Sequence, residues 1–266
     1  MKLERSITIT GKIHCITGLC IGGSSNTLEI GGVSQEIVKN PITKEPYIPG
    51  SSLKGKMRSE LEKRYGYRKW ENIDNLKKHE QWEKIHIYDK KKEEGRGNER
   101  GKYKERVLID AEQEPCGCGK KDCLVCVVFG AHKNPGGESA PTRIIVRDAM
   151  LSEESKAMIE ALPFENRSYF ERKVENIIKR DTGTADSPRT MERVPAGMSF
   201  DFEIILRIFE GDKEEELLAF VKEGLEAVES SYLGGSGSRG SGQVRFDYDI
   251  ENYEVVENGQ SVSKEA

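Results

Sequence analysis

Phe200-Asp201-Phe202-Glu203-Ile204-Ile205-Leu206-Arg207-Ile208 alternates apolar and polar residues, with Phe200, Phe202, Ile204, Leu206 and Ile208 on one side. A period of two is that of a strand with one buried face. A helical pattern follows from about Asp212 to Ser230, carried by Leu217, Leu218, Phe220, Val221, Leu225 and Val228. After it comes Gly234-Gly235-Ser236-Gly237-Ser238-Arg239-Gly240-Ser241-Gly242, and then a second alternating stretch from Gln243 to Tyr248. Strand, helix and strand make one β-α-β unit, so the glycine run joins two elements of one core and is not an interdomain linker. Taken alone, this run is either a tight turn or an anion site. Glycine permits close backbone approach, successive amides can form an anion-binding concavity, and Arg239 supplies a forked donor.

Working outward, Ile7, Ile9, Ile13 and Cys15 predict a strand over residues 6–16, followed by a Gly-rich loop through Val33 and a short strand over Glu36–Lys39. A turn-rich passage, Pro41 to Pro49, leads to a helix that Ser51 or Ser52 can cap, with Leu53, Met57 and Leu61 as its apolar stripe. Residues 142–147 read as a strand and Ser152 to Leu162 as a helix. The N-terminal elements form a half similar to the C-terminal β-α-β unit. The simplest assembly is an α+β, ferredoxin-like (RRM-like) palm built from residues 1–63, 142–164 and 197–250. Into it are set a charged, Cys-bearing insertion over 64–141 and a basic, turn-rich arm over 165–196, with 251–266 expected as a flexible tail.

Of the 266 residues 35% are hydrophobic, enough for a genuine core. The formal net charge of −4 gives no global attraction to nucleic acid, so any such surface must be local. No apolar segment long enough for a bilayer span is present, which leads to the expectation of a cytoplasmic chain without a membrane partner. With no secretion signal, the six cysteines point away from a disulfide framework.

Four of them, Cys116, Cys118, Cys123 and Cys126, lie within eleven residues, a closed set of soft ligands suited to a structural zinc ion. His132, His86 or His79 can replace one of them, and reduced structural thiols or a redox pair are the other readings. Cys15, Cys20 and His14 read as packing residues. Pro49 to Arg58 places Ser51, Ser52 and amides at a helix start, with Lys54, Lys56 and Arg58 able to line a phosphate track. The bland alternative is a capped surface helix. The arm carries Arg167, Arg172, Lys173, Lys179, Arg180, Arg189 and Arg193, with Tyr169, Phe170 and Met191 as groups able to wedge or stack against bases. Together, the helix start, the arm and the glycine loop imply a bound single-stranded nucleic acid.

The phrases Ile21-Gly22-Gly23, Pro46 to Arg58, Val127-Val128-Phe129-Gly130, Thr142-Arg143, Arg147-Asp148-Ala149, Glu192-Arg193-Val194-Pro195-Ala196-Gly197 and Gly234 to Gly242 resemble the RAMP superfamily. More closely, they resemble the repeated backbone subunit of the Csm effector complex in type III-A CRISPR systems. That resemblance implies a ferredoxin-like palm, a zinc-bearing insertion and a thumb hairpin between about 165 and 196. It also implies copies of the chain in a filament along one CRISPR RNA, together with other Csm subunits and a single-stranded target RNA. Each thumb would displace a nucleotide and the target would be cut beside it with magnesium or another divalent ion. Ser51, Ser52, Lys54, Lys56, Arg58, Gly235, Gly237, Ser238, Arg239 and Gly240 would hold the guide backbone, with Arg180, Arg189 and Arg193 on the thumb.

The family cuts with an aspartate in a phrase like Ile-Gly-x-Ile-Asp-x-Pro. Here Ile30-Gly31-Gly32-Val33-Ser34-Gln35-Glu36 puts Ser34 at that position. A serine hydroxyl cannot serve as a carboxylate general base or magnesium ligand. Glu36, two residues on and on the same side if the chain is extended, is a possible substitute; the other readings are a non-cutting subunit or a chain altered at this position. A stand-alone RAMP endoribonuclease that processes precursor CRISPR RNA is the alternative function, with His14 as the histidine available near the palm loops. A zinc-stabilised RNA-binding module outside CRISPR is the third.

Overall fold

A computed structural model describes residues 2–23, 36–65, 115–117, 119–132, 141–255 and 261–264. Two compact units result, Met1–Met57 with Ile144–Ala266, and Arg58–Arg143.

The first unit is an antiparallel sheet built around β1 (Leu3–Cys15). On one side β1 pairs with β7 (Ser199–Phe209), Ile9 opposite Ile204. On the other it pairs with β8 (Val244–Val255), Ile9 opposite Ile250. The predicted alternation holds: Phe200, Phe202, Ile204, Leu206 and Ile208 are all buried, as are Ile7, Ile9 and Ile13 across the ladder. Between β7 and β8 runs helix α4 (Glu214–Glu229), which buries Leu217, Phe220, Val221, Leu225 and Val228. The two strands of the β-α-β unit therefore flank β1. The short strands β2 (Tyr47–Ile48), β3 (Ile144–Val146) and β4 (Ala149–Leu151) complete the β7 side of the sheet. Helix α3 (Glu153–Glu160) is capped by Ser152, whose hydroxyl accepts from the Ser155 amide. The buried hydroxyls of Ser152, Ser155 and Ser199 satisfy one another, Ser152 Oγ to Ser199 Oγ at 2.8 Å, as buried polar groups must.

Between α3 and β7, strands β5 (Glu171–Ile178) and β6 (Ala185–Arg193) pair as a separate two-stranded hairpin, with a bulge between Glu175 and Ile177. Its outer part is exposed and its base is not, and Met191 is only 5% exposed. Met191 therefore packs in the interior and is not available to wedge against a base.

Four sequence expectations are corrected. Residues 36–39 form only isolated bridges, Gly22 with Ile37 and Lys39 with Pro46, because the following turn diverts the chain after two contacts. Helix α1 (Gly50–Tyr65) begins before Ser51 and Ser52, so both serines lie in its first turn instead of capping it. The strand expected over 142–147 shortens to Ile144–Val146. Residues 251–255 continue β8 because β1 is long enough to pair with it, Arg5 opposite Glu254, and β9 (Ser261–Lys264) adds to that edge. The described residues of the expected tail, 251–255 and 261–264, are thus strand.

In the second unit α1 continues to Tyr65 and a short helix, α2 (Leu124–Phe129), buries Val125, Cys126, Val128 and Phe129. Gly130 ends α2 at φ +92°, with its Cα close against Thr142.

Candidate nucleic-acid interface

The glycine loop is stitched into the first unit by its backbone. Leu233 N–H donates to Gly242 O at 2.8 Å, Gly242 N–H to Gly18 O at 2.9 Å and Gly235 N–H to Cys20 O at 2.7 Å. Gly234 and Gly242 hold φ of +75° and +81°, and a Cβ at either would meet Cys20 O or Leu233 O at 2.4 and 2.0 Å. These two glycines are structural requirements. Burial beneath this loop raises the Cys20 thiol above its ordinary range.

The tip of the loop is different. Ser236 adopts φ 60° and opens a 3-10 turn over Gly237–Arg239 that ends on Gly240 at φ 84°. Ser238, Arg239 and Gly240 are exposed. The amides of Gly235, Arg239 and Gly240 already donate within the chain. Gly237 and Ser238 precede Arg239 in this turn, Gly237 half-buried and Ser238 exposed. Arg239, 57% exposed, is aimed by Ser236 Oγ at 2.7 Å and by Glu175 of β5 at 3.1 Å. Lys173, first, and then Arg239 hold the Glu175 carboxyl below its usual range.

At the start of α1, the Gly50 amide donates to the Asp148 carboxylate at 2.8 Å, and the Ser52 and Leu53 amides donate to Pro49 O. An internal carboxylate thus takes part of the anion site expected at this helix terminus. Gly50 is required there, since a Cβ would meet Val146 O at 2.2 Å. Ser51 is exposed, and Ser52 and Lys54 are half-buried. The Lys56 ammonium lies 3.2 Å from Ser231 Oγ and 3.6 Å from the centroid of the Tyr232 ring. Through Ser231 and Tyr232, Lys56 is brought beside the glycine loop. Arg58 is not on this track: its Nε pairs with Glu62 at 2.9 Å, its Nη2 donates to Cys116 O at 2.6 Å, and the side chain is only 14% exposed. Its role is structural, within the second unit.

On the hairpin, Arg180 and Arg189 are exposed, as a phosphate contact requires. Arg193 at the base pairs with Glu171 and packs beside Gly18, so its charge is already met. Lys39 and Glu192 form an ion pair at 2.7 Å, and the same ammonium stands 3.9 Å over the Phe170 ring. The described residues that flank position 34 are joined by Gly23 N–H to Glu36 O at 3.0 Å and Val38 N–H to Ile21 O at 2.8 Å. Glu36 is exposed, whereas Ser34 lies outside the described residues.

A shallow groove of about 530 Å³ on the first unit is lined by Lys12, Arg147, Asp148, Asp201 and Glu203 among others. Its cations are met by carboxylates, Lys12 with Glu154 and Asp201, Arg147 with Glu203, so it offers phosphate no net attraction.

In the second unit the Sγ atoms of Cys116, Cys123 and Cys126 converge within 4.8 Å of one another. Cys116 to Cys123 is 4.0 Å and Cys116 to Cys126 is 3.7 Å. Ligands at the usual Zn–S length around a tetrahedral ion stand about 3.8 Å apart, so three buried cysteines fit zinc. Cys118 lies outside the described residues, as do His79 and His86. His132 is described and approaches through its backbone, donating to Cys116 O at 3.2 Å; its ring does not join the cluster.

Sequence reasoning overlooked Tyr232, Glu175 and the capping role of Asp148. An aromatic two residues before a glycine run was the available signal for the first; the other two depend on tertiary contacts.

The RAMP superfamily family model matches residues 12–245, and the chain belongs to that superfamily. Its relatives place it more narrowly, in the Csm3 family. It is 37% identical to the "CRISPR system Cms endoribonuclease Csm3" of Methanothermobacter thermautotrophicus, over 92% of this chain and 85% of that protein. It is 35% identical to the protein of the same name from Streptococcus thermophilus, over 91% and 87%. A solved Csm3–Csm4 subcomplex of the type III-A CRISPR-Cas interference complex aligns with TM-score 0.50 and 25% identity, over 96% of this chain and 81% of that one. A type III-B Cmr-beta complex bound to cognate target RNA shares the fold, with TM-score 0.51 at 16% identity. Among the described residues no helix is long and apolar enough to cross a membrane.

Proposed function

We propose that this chain is a backbone subunit of a type III-A CRISPR interference complex and holds the guide RNA on its first unit. The observation that carries this reading is the joining of two sequence-distant basic features. Residues 51–56 at the start of α1 and the exposed tip Ser236–Gly240 meet through Lys56, Ser231, Tyr232 and Gly237. Hydroxyls, the backbone of the turn and the charges of Lys56 and Arg239 then lie along one strip, the chemistry that a sugar–phosphate chain requires.

In this reading the first unit is a ferredoxin-like palm, since β7 and β8 flank β1 with a helix between them. The β5–β6 hairpin is the thumb, with Arg180 and Arg189 free to meet the guide–target pair. Zinc at Cys116, Cys123 and Cys126 fastens the insertion, with Cys118 as fourth ligand. Copies of the chain repeat along the guide, beside other Csm subunits. Cleavage of a target RNA by magnesium chemistry needs a carboxylate at the position of Ser34, and none stands there. The subunit therefore holds guide and target without cutting. The processing alternative is not favoured: His14 is half-buried near the end of β1, held in the sheet opposite Ser199 and Arg245.

The test is binding of a labelled single-stranded RNA by the full chain across a salt series. The reading predicts that Arg239→Ala weakens binding and flattens the salt slope by about 0.7, one single-strand phosphate contact. An unchanged slope would remove Arg239 from the interface.

A further inference from the structure

We infer that Tyr232 is a positioning residue for RNA binding, its ring holding the Lys56 ammonium and the Gly237 backbone together on one strip. The inference rests on the reading of this strip as a guide-RNA surface. Three observations carry it. The Lys56 ammonium stands 3.6 Å from the ring centroid, and Ser231, the neighbouring residue, receives its hydrogen bond at 3.2 Å. The ring also lies so close to Gly237 that a Cβ there would fall 2.1 to 2.3 Å from three of its carbons. Gly237 in turn opens the turn that carries Arg239.

One side chain thus sets the distance between two phosphate-binding groups that come from opposite ends of the sequence. Its chemistry suits the task. An aromatic face attracts a cation through its quadrupole. A lysine stem has many rotamers, and binding a phosphate with an already placed ammonium avoids the entropy of ordering it. Gly237 is then a glycine because of the ring, although its backbone does not demand one.

The experiment measures binding of a 40-nucleotide single-stranded RNA to the full chain in a salt series, with thermal unfolding in parallel. Tyr232→Phe, which keeps the ring, is expected to bind within about twofold of the parent. Tyr232→Leu is expected to weaken binding about five- to tenfold and to flatten the salt slope by about 0.7, the effect of one lost single-strand phosphate contact. Lys56→Gln is expected to do the same, and the Tyr232→Leu/Lys56→Gln pair to be no worse than either. Gly237→Ala, which drives a methyl into the ring, should weaken binding in the parent and have no effect in the Tyr232→Leu background. That arm does not depend on how stable Tyr232→Leu is, because both members of the comparison carry it. If Lys56→Gln flattens the slope but Tyr232→Leu does not, or if their effects multiply, the positioning role is overturned while the RNA reading stands. If the parent shows no salt-dependent binding, both fall.

Discussion

The Lys39 ammonium lies 2.7 Å from the Glu192 carboxylate, which is only 4% exposed, and this pair ties the segment after the position-34 loop to the base of the hairpin. Lys39 is 21% exposed and also faces the Phe170 ring, so the hairpin base meets it from both strand and approach segment. Removing one partner of such a pair leaves a charge without compensation in the interior. Lys39→Met should cost about 3 kcal/mol in chemical denaturation, the low end for a buried pair because Lys39 is part-exposed. Adding Glu192→Leu should recover most of that loss; no recovery would show that the pair is not coupled.

The glycines of the loop should separate into two classes. Gly242→Ala combines a positive φ with a Cβ 2.0 Å from Leu233 O, and should destabilise by about 3 kcal/mol through overpacking and left-handed strain. Gly240→Ala has the same sign of φ, +84°, but open space around it, and should cost about 1 kcal/mol. Equal losses in thermal denaturation would contradict the packing seen at Gly242.

How much of this was legible beforehand differs between elements. Phe200 to Ile208 alternates over five steps, and its burial followed directly, because one face of a central strand has no competing partner. The run of Lys54, Lys56 and Arg58 shows where each side chain starts and not what it meets; Glu62 and the Cys116 carbonyl decide the use of Arg58. Met191 sits in a basic, turn-rich stretch with no core periodicity, yet the hairpin base folds it inward. The convergence of Lys56 and the residues leading into the glycine loop spans 175 positions and depends on sheet order, which local patterns do not encode.

Metal content should follow the thiol cluster. The parent chain is expected to hold about one zinc, and Cys123→Ser to lose most of it together with the stability of the second unit, because the three thiolates, Cys118 as fourth ligand and the metal would form one closed site. Zinc analysis and limited proteolysis with and without chelator check this. Full zinc retention in Cys123→Ser would exclude that residue as a ligand.

Burial pushes the Cys15 thiol up to about 12 from an ordinary 9.0. The folded chain therefore keeps the proton that the unfolded chain releases, and this contribution is complete below about pH 9 and lost as pH rises towards 12. Stability should decline over that window, and Cys15→Ala should flatten the decline. Cys15 should also resist alkylation at pH 8 until the protein is unfolded. Rapid native-state labelling would contradict its burial on β1.

The proposed absence of cleavage is tested at one side chain. In the reconstituted complex with matched target RNA and magnesium, the parent should give no regularly spaced fragments and Ser34→Asp should gain them, as a carboxylate is restored where the family carries one. Fragments from the parent that vanish on Glu36→Ala would instead assign the chemistry to Glu36.

The guide-holding strip is tested most directly by crosslinking a 4-thiouridine-substituted guide RNA in the assembled complex and mapping the adducts by mass spectrometry. Crosslinks are predicted at residues 51–56 and 236–239, and none on the carboxylate-bearing groove around Lys12, Asp201 and Glu203. Adducts concentrated in that groove, with the glycine-loop tip unmarked, would contradict the account.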